Sequence, residues 1–273
     1  MQGLPLRAAK NILIIPTYDR AELLYLCLDA IAMCRESSRL DIRVFQDSHI
    51  NDKDVDAQGR REVIDVVKKF HDLQITCITR PWHAYAGNSY NILTAYKDAA
   101  TSKAEYVFMV EDDVIVSPDF FRYHYARLAA HPKAACSIGV RDPGHHGYAS
   151  LGVAFPRETL HLIAPHCEPL YFLRQRGYCA QTFRPSLYNA QFDCEQDGLI
   201  ARILEGRLVL WADVPVCQHI GWYGYHRRKS QRPQGTLEER VMQTKAILQS
   251  ESLLRQWSRD FADIEVLPTP PIS

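Results

Sequence analysis

The stretch YVFMVEDDVIVSPDFF, residues 106–121, decides the fold more than any other part of the chain. Its first five residues are apolar or aromatic and favour β structure, as is typical of a buried strand in a parallel sheet. Three acidic residues follow this strand directly, namely Glu111, Asp112 and Asp113. In an α/β sheet this position is the carboxyl edge, where ligands bind. The stretch therefore predicts a strand of an α/β sheet that ends in a ligand site.

The three neighbouring carboxylates need a positive charge among them, because like charges repel one another at this spacing. Magnesium and manganese prefer carboxylate oxygens, so a divalent cation is the obvious candidate. The alternative interpretation is an acidic turn that is exposed to solvent after a core strand. We favour the cation because other parts of the chain supply residues of matching chemistry.

Strands and helices alternate along the first half of the sequence. Apolar runs predict strands at 11–15, 41–46, 73–79 and 106–110, and helical spacing predicts helices at 23–31, 60–70 and 88–100. A further helix is predicted to start at Ser117, with Ser117 as N-cap and Pro118 at the first helical position. The second half is less regular and predicts strands at 151–155 and 208–212 and helices at 192–204 and 236–257. This alternation predicts a mostly parallel sheet with right-handed crossovers.

Composition excludes several classes of protein. The length of 273 residues suits one large domain or two small ones. Equal numbers of acidic and basic residues give a formal net charge of zero, so no global basic field is available for nucleic-acid binding, although a local patch remains open. No apolar run resembles a signal peptide or reaches membrane-spanning length, so we expect a cytoplasmic protein with no membrane partner. The eight cysteines form no CxxC pair and are expected to be reduced.

Phosphate-binding glycine loops are missing from the sequence. It contains neither GxGxxG nor GxxxxGK[ST], which excludes an ordinary dinucleotide-binding protein and a P-loop protein. If the protein binds a nucleotide, groups other than a glycine-rich loop must hold the phosphates.

In the order and spacing of its motifs, the chain resembles nucleotide-sugar-dependent glycosyltransferases of the GT-A fold. It is similar to the inverting family-2 transferases, and residues 110–121 are similar to the N-acetylglucosaminyltransferase I type, which carries EDD followed by Pro-Asp-Phe. The resemblance implies a Rossmann-like α/β fold, with a mostly parallel central sheet, helices on both faces, and a C-terminal acceptor region and helix. It divides the chain into a GT-A domain at 1–235 and a helix and tail at 236–273. Within the domain, 11–139 would bind the nucleotide sugar and 140–235 would form the acceptor and catalytic half.

The resemblance also implies a set of nucleotide-binding residues near the ends of the first four strands. They are Pro16, Tyr18, Arg20, Asp47, Arg80, Asn88, Glu111 and Asp112. Tyr18 would line the base pocket, Arg20 would meet phosphate, and Asp47 would hydrogen-bond the base or ribose. An Asx turn at Asp47, helix capping by Asn88 and a surface position for Arg80 are the alternative interpretations.

For the metal, the resemblance implies Asp113 and His219 as ligands of Mn²⁺ or Mg²⁺. A cation that bridges both phosphates would neutralise the leaving group. His219 lies in the segment VCQHIG, 216–221, and a purely structural histidine is the alternative. The basic segment 226–232 lies where GT-A enzymes have a loop over the donor. It would clamp the diphosphate, bind an anionic acceptor, or form a solvated basic turn.

Inverting transfer also needs a carboxylate base that takes the acceptor proton on the opposite face of the sugar. The segment FDCEQDGLIAR, 192–202, occupies the place of the family's adjacent acidic pair, but here a glutamine separates the two acids. The base is therefore either Asp197 or Glu195, and we favour Asp197. The alternative is that both acids only complement the helix dipole.

Together these features predict a metal-dependent inverting glycosyltransferase. The donor would be a nucleoside-diphosphate sugar, with UDP as the family-level expectation. The acceptor would be a hydroxyl group in the cytosol, carried by a glycan, a small molecule, a protein or a hydroxylated DNA base. Two alternatives remain open: a nucleotidyltransferase, which would usually carry a glycine-rich loop where this chain has PTYDR at 16–20, and a catalytically inactive nucleotide-sugar-binding module.

Overall fold

The computed structural model describes residues 10–48, 57–80, 87–141, 147–183, 194–221 and 232–250. The first half contains β1 (Ile12–Thr17), α1 (Ala21–Ala32), β2 (Asp41–Gln46), α2 (Ala57–Lys69), β3 (Ile75–Thr79), α3 (Asn88–Ala100), β4 (Tyr106–Met109), β5 (Val114–Val116) and α4 (Phe120–Ala130). The second half contains β6 (Ala134–Ile138), β7 (Val153–Pro156), α5 (Arg157–Ile163), α6 (Pro169–Leu173), α7 (Gln175–Thr182), α8 (Gln196–Ile203), β8 (Leu208–Trp211), β9 (Cys217–His219) and α9 (Leu237–Ser250).

The central sheet has seven strands in the order β3-β2-β1-β4-β7-β6-β8. The first four strands of this order are parallel, β7 is antiparallel to both of its neighbours, and β6 and β8 are parallel to each other. The predicted mostly parallel, Rossmann-like α/β sheet is therefore confirmed. Because β1 lies between β2 and β4, the carboxyl ends of these three strands meet at one edge of the sheet.

Apolar side chains cover both faces of the sheet. Along β1, Ile12 and Ile14 belong to one buried cluster, and Leu13 and Ile15 belong to the other. This alternation follows from the period of two along a strand, and it shows why the strand is apolar at every one of these positions. The cluster on one face includes residues of α3, α5 and α8, and the cluster on the other face includes residues of α1, α2 and α4. The sheet is thus the middle layer of three.

A second, two-stranded sheet follows the acidic triplet, and the sequence did not predict it. β5 pairs antiparallel with β9, and Val114 lies opposite His219 in this pairing. The segment 216–221 therefore contains a strand. Its pairing brings the predicted metal ligand His219 next to the end of the acidic triplet.

The start of α4 differs from the prediction. The helix begins at Phe120, after a turn that is closed by a hydrogen bond from the Phe120 N–H to the Ser117 carbonyl at 3.0 Å. The Ser117 hydroxyl is buried and has no hydrogen-bond partner among the residues that the structure describes. The Ser117 N–H instead donates to the carbonyl of Val216 at 2.9 Å. Ser117 thus continues the pairing of the small sheet, which is why it does not cap the helix.

The C-terminal helix α9 packs on α1 through a buried charged cluster. Glu22, in the first turn of α1, is fully buried. Its Oε2 accepts a hydrogen bond from Arg240 Nε at 3.1 Å. Arg232 lies 3.6 Å from the other carboxylate oxygen of Glu22 and 3.4 Å from Asp19. Two arginines thus compensate the buried charge of Glu22, and they tie residues 232–250 to the segment that follows β1. The division of the chain at residue 235 remains a prediction.

Two further findings concern the cysteines and the apolar character of the helices. All eight cysteines lie within the described ranges and carry free thiols. Of the helices within those ranges, none has the length and apolar character that a bilayer-spanning helix requires.

Candidate functional site

The acidic triplet lies beside the end of β1, because β1 and β4 are neighbouring parallel strands. The Asp112 N–H donates to the carbonyl of Pro16 at 3.3 Å, which extends the pairing beyond β4. The Thr17 hydroxyl donates to Asp112 Oδ2 at 2.7 Å. The structure therefore brings Pro16 and Asp112, two of the predicted nucleotide-binding residues, to the same place.

Arg20 lies among the carboxylates of the triplet. Its guanidinium forms an ion pair with Asp112, and its Nη1 lies 2.6 Å from Asp113 Oδ2. Asp112 and Asp113 are only 2% and 4% exposed, so both charges would be costly without this partner. Burial acts to lower the pKa of Arg20, but the two carboxylates raise it well above its ordinary value. Arg20 thus supplies the positive charge that the acidic triplet needs.

The pKa values of the three acids are shifted in different directions. Burial raises the pKa of Glu111 to about 8, and the nearby carboxylates of Asp113 and Asp197 contribute to the increase. Burial also raises the pKa of Asp112 to about 6, against the charge of Arg20. For Asp113, burial is outweighed by the charge of Arg20 and by the hydrogen bond and charge of His219, which hold its pKa well below the usual range. Asp113 is therefore the member of the triplet that stays charged most firmly.

His219 lies directly against Asp113. Its Nε2 is 3.3 Å from Asp113 Oδ2, and the N–H of Ile220 donates to the main-chain carbonyl of Asp113 at 2.7 Å. A side chain at Gly221 would collide with Asp113 Oδ2, and its Cβ would lie 2.7 Å from His219 Nε2. Glycine at this position therefore keeps open the space in front of the pair.

Asp113 and His219 fit the requirements of a divalent cation. Asp113 Oδ1 is buried and accepts no hydrogen bond within the described part of the chain, so it has capacity for a further ligand. No three His, Cys, Asp or Glu side chains of the described residues gather closely enough to hold a metal by themselves. Mg²⁺ is commonly held by one or two carboxylates together with substrate phosphates and water. Two protein ligands therefore suffice for a cation that arrives with a diphosphate.

A second part of the site is organised by Ser150, which precedes β7. The Ser150 Oγ lies 3.0 Å from Glu111 Oε1 and 3.2 Å from Asp197 Oδ2. The Ser150 N–H also points to Asp197 Oδ2, at 3.4 Å. The predicted base Asp197 and the first acid of the triplet therefore belong to one cluster. Sequence reasoning missed Ser150 because a single serine in a turn-rich segment carries no pattern.

The two candidates for the base occupy different environments. Glu195 precedes α8 and is exposed, whereas Asp197 lies in the first turn of α8 and is half-buried. Gln196, which stands between them, is buried and accepts a hydrogen bond from the Ser89 hydroxyl at 2.8 Å. Gln196, which stands where the family has an acid, thus has a structural role, because it connects α8 to the start of α3.

Asp47 and Arg80 lie at the ends of β2 and β3, on the same edge of the sheet. Asp47 Oδ1 accepts a hydrogen bond from the Ser48 N–H at 2.8 Å, a local turn contact. The Arg80 guanidinium stacks on the ring of Phe45 at 4.7 Å and donates to Asn91 Oδ1 at 3.4 Å. Arg80 is therefore held at the edge by specific contacts, unlike an unconstrained surface arginine.

Tyr18 and Asn88 are placed by the main chain. The Tyr18 carbonyl accepts a hydrogen bond from the Gln46 side chain at 3.3 Å, which fixes the turn after β1. Asn88 is the first residue of α3, and the N-cap position belongs to Gly87, whose φ of 134° favours glycine. Asn88 is thus not the N-cap residue. Sequence reasoning missed Asn91, one turn further on, whose side chain donates to the Phe45 carbonyl at 2.7 Å.

The basic segment 226–232 lies outside the described residues except for Arg232. That residue joins the cluster of Asp19 and Glu22, so it is engaged with the segment next to Arg20. The predicted roles of the rest of this segment remain predictions.

Comparison with solved structures supports the fold. A mannosyltransferase of Pyrobaculum calidifontis, PcManGT, in complex with GDP-Man and Mn²⁺, is similar with a TM-score of 0.53 and 18% identity, over 97% of this chain and 81% of that chain. GlyE of Streptococcus pneumoniae is similar with a TM-score of 0.52 and 10% identity, over 92% of this chain and 64% of that chain. Residues 1–349 of S. aureus TarS in complex with UDP-GlcNAc are similar with a TM-score of 0.50 and 13% identity, over 94% of this chain and 73% of that chain. Identities this low show a shared GT-A fold.

Family comparison extends this result from fold to class. No curated protein matches the chain. The family model described as glycosyltransferase like family 2 matches residues 9–239, which is most of the sequence. The chain therefore belongs to the family-2-like glycosyltransferases and is an enzyme of that class.

Proposed function

We propose that the protein is a metal-dependent inverting glycosyltransferase that moves a sugar from a nucleoside-diphosphate donor to a hydroxyl acceptor. The observation that carries this proposal is the meeting of two acidic centres at one edge of the sheet. One centre is Asp113 beside His219, and the other is Asp197, which Ser150 joins to Glu111. A donor-binding centre and a separate carboxylate are the two requirements of inverting transfer.

The donor would lie across the ends of β1, β2 and β4. Asp113 and His219 would hold Mn²⁺ or Mg²⁺, which when bound neutralises the diphosphate leaving group. Asp112, fixed by Thr17, would border the nucleotide. Glu111, which directly precedes Asp112, would face the ribose and nucleotide. The PcManGT complex with GDP-Man and Mn²⁺ supports both a nucleotide-sugar donor and a divalent cation.

Asp197 would act as the general base. It is half-buried and lies in the same cluster as Glu111, whereas Glu195 is exposed before the helix. The acceptor O–H bond would break toward the Asp197 carboxylate, while the acceptor oxygen bonds to the sugar and the diphosphate leaves from the opposite face. The acceptor would be a cytosolic glycan, small molecule, protein or hydroxylated DNA base, and UDP is the expected nucleotide.

A thermal-shift panel of nucleoside diphosphates, with and without manganese, tests this function. At about 100 times its dissociation constant, the correct nucleotide adds about 2.7 kcal/mol of stability. For a chain of this size, that corresponds to a rise in Tm of about 5–10 °C. We expect one nucleotide to give this shift only in the presence of manganese. No shift from any nucleotide, with or without the metal, would contradict the proposed donor site.

Arg20 and a cation compete for Asp113 in this proposal, which leads to a second prediction. Arg20→Gln should raise the affinity for Mn²⁺ in the absence of nucleotide by about tenfold or more, because Asp112 and Asp113 lose their counter-charge. The measurement is the electron paramagnetic resonance signal of free Mn²⁺ during titration.

Arg122→Gln is a matched control, since Arg122 forms a comparable ion pair with Asp119 at 2.6 Å away from the triplet. It should bind Mn²⁺ as the wild type does. An Arg20→Gln protein whose affinity for Mn²⁺ equals that of the wild type would show that Arg20 and the cation occupy different places.

A further inference from the structure

We infer that Ser150 is the positioning residue for the general base, an inference that rests on the proposed function and deepens it. Ser150 is 6% exposed, and two of its donor groups reach the same oxygen of Asp197. These are the hydroxyl at 3.2 Å and the main-chain N–H at 3.4 Å. The main-chain N–H serves Asp197 alone, whereas the single hydroxyl proton can donate to Asp197 or to Glu111 and so bridges the two carboxyl groups.

A fixed carboxylate has a mechanistic consequence. The proton of the acceptor hydroxyl goes to the Asp197 carboxylate that Ser150 orients, the acceptor oxygen forms its bond to the anomeric carbon, and the bond between that carbon and the diphosphate breaks. If the base rotates out of this orientation, transfer becomes slower, because a displacement of about 1 Å can lower the reaction rate about 100-fold.

Ser150 also links the base to the donor side of the site. Its hydroxyl lies 3.0 Å from Glu111, which directly precedes Asp112 and Asp113. Asp197 lies on helix α8, whereas Glu111 follows β4, a strand of the central sheet. The two residues therefore belong to different elements of the fold. Ser150 is therefore the side chain through which the spacing between base and donor is set.

The segment that carries Ser150 is itself anchored in the core. Tyr148 is 9% exposed, and its ring stacks on Phe155 of β7 with centroids 5.9 Å apart. Its hydroxyl lies 3.2 Å from that of Tyr96 in α3. These contacts hold the main chain two residues before Ser150, so its hydroxyl and N–H are presented to Asp197 in a fixed arrangement.

The test compares Ser150→Ala with Ser150→Thr, which keeps a hydroxyl. We expect Ser150→Ala to lower kcat by about 100-fold while KM for the donor and the nucleotide-induced thermal shift change by less than about threefold. Ser150→Thr should recover most of the lost kcat. Ser137→Ala is the matched control, because Ser137 is a fully buried serine that is hydrogen-bonded to His124 at 2.8 Å, and its loss should leave kcat unchanged.

A double-mutant cycle separates positioning from a structural effect. If Ser150 acts through Asp197, Ser150→Ala should lower kcat little further when Asp197 is already asparagine. Full additivity of the two effects would overturn the inference, as would an unchanged kcat in Ser150→Ala or a kcat in Ser150→Thr as low as that of Ser150→Ala. A wild-type protein that neither binds nor turns over any nucleotide sugar would instead reject the proposed function, and with it this role.

Discussion

Replacing Asp113 by asparagine is expected to abolish manganese-dependent turnover, with a loss of about 1000-fold or more. Asparagine keeps the size of the side chain but removes the charge that Arg20 and His219 stabilise. It also removes the anionic character of Oδ1, the buried oxygen that accepts no hydrogen bond within the described residues. A neutral amide at this position cannot attract a divalent cation and its diphosphate as a carboxylate does.

The measurement is nucleotide affinity by calorimetry in the presence and absence of manganese, followed by turnover at saturating donor. Wild type should bind more tightly with the metal, and Asp113→Asn should bind equally weakly in both conditions. Asp119→Asn is the control, since Asp119 is an acid outside the triplet that pairs with Arg122 and whose side chain is 39% exposed. A manganese response in Asp113→Asn as large as in wild type would remove Asp113 from the metal site.

The parallel part of the sheet was predictable from sequence for a simple physical reason. Strands that are covered on both faces must be apolar at successive positions, and β1 shows this with four buried apolar residues in a row, Ile12 to Ile15. The predicted strand at 106–110 corresponds to β4 at Tyr106–Met109. The antiparallel direction of β7 and the three-residue strands β5 and β9 were not predictable, because short runs carry neither a period nor a direction.

The position of the acidic triplet followed from topology, but its partners did not. Parallel strands place their carboxyl ends together, which explains why the residues after β1 and β4 meet although about 90 positions separate them. The sequence showed that the triplet needs a positive charge, and the structure shows the guanidinium of Arg20 there. The contact of Arg20 with phosphate remains a prediction that ligand binding would have to test.

Residues whose contacts reach distant segments of the chain were the least predictable. Ser150 lies in a turn-rich part of the chain, so its two carboxylate contacts depend on the path of the main chain between β6 and β7. Asn91 lies on a helix that was recognised by its apolar spacing, and this spacing does not reveal that the Asn91 side chain donates to the Phe45 carbonyl. Contacts of this kind need the fold itself, because no local pattern specifies them.

The choice between Asp197 and Glu195 shows a related limit. Residues two positions apart at the start of a helix face different directions, so only one of them can approach the acidic triplet. The sequence favours Asp197 but leaves Glu195 open, because helix boundaries are uncertain by one or two residues. The observed start of α8 at Gln196 places Asp197 in the first turn and leaves Glu195 exposed outside it.

Asp197→Asn is therefore expected to lower kcat by about 1000-fold while the donor still binds with nearly unchanged affinity. Asparagine has the same shape and can still accept hydrogen bonds from Ser150, so the cluster should remain folded. Its amide cannot take a proton at neutral pH, and this is the one property that the base requires. Single-turnover kinetics with saturating donor, together with the nucleotide-induced thermal shift, separate the loss of chemistry from the loss of binding.

Glu195→Gln is the matched comparison, because it removes one carboxylate two positions away and outside the cluster. It should keep kcat within about threefold of wild type, since Glu195 is exposed and lies before the start of the helix. The opposite pattern, in which Glu195→Gln is inactive and Asp197→Asn is active, would assign the base to Glu195. In that case the contacts of Ser150 with Asp197 would serve the packing of α8, because the proton would then leave the acceptor on the exposed side of the helix start.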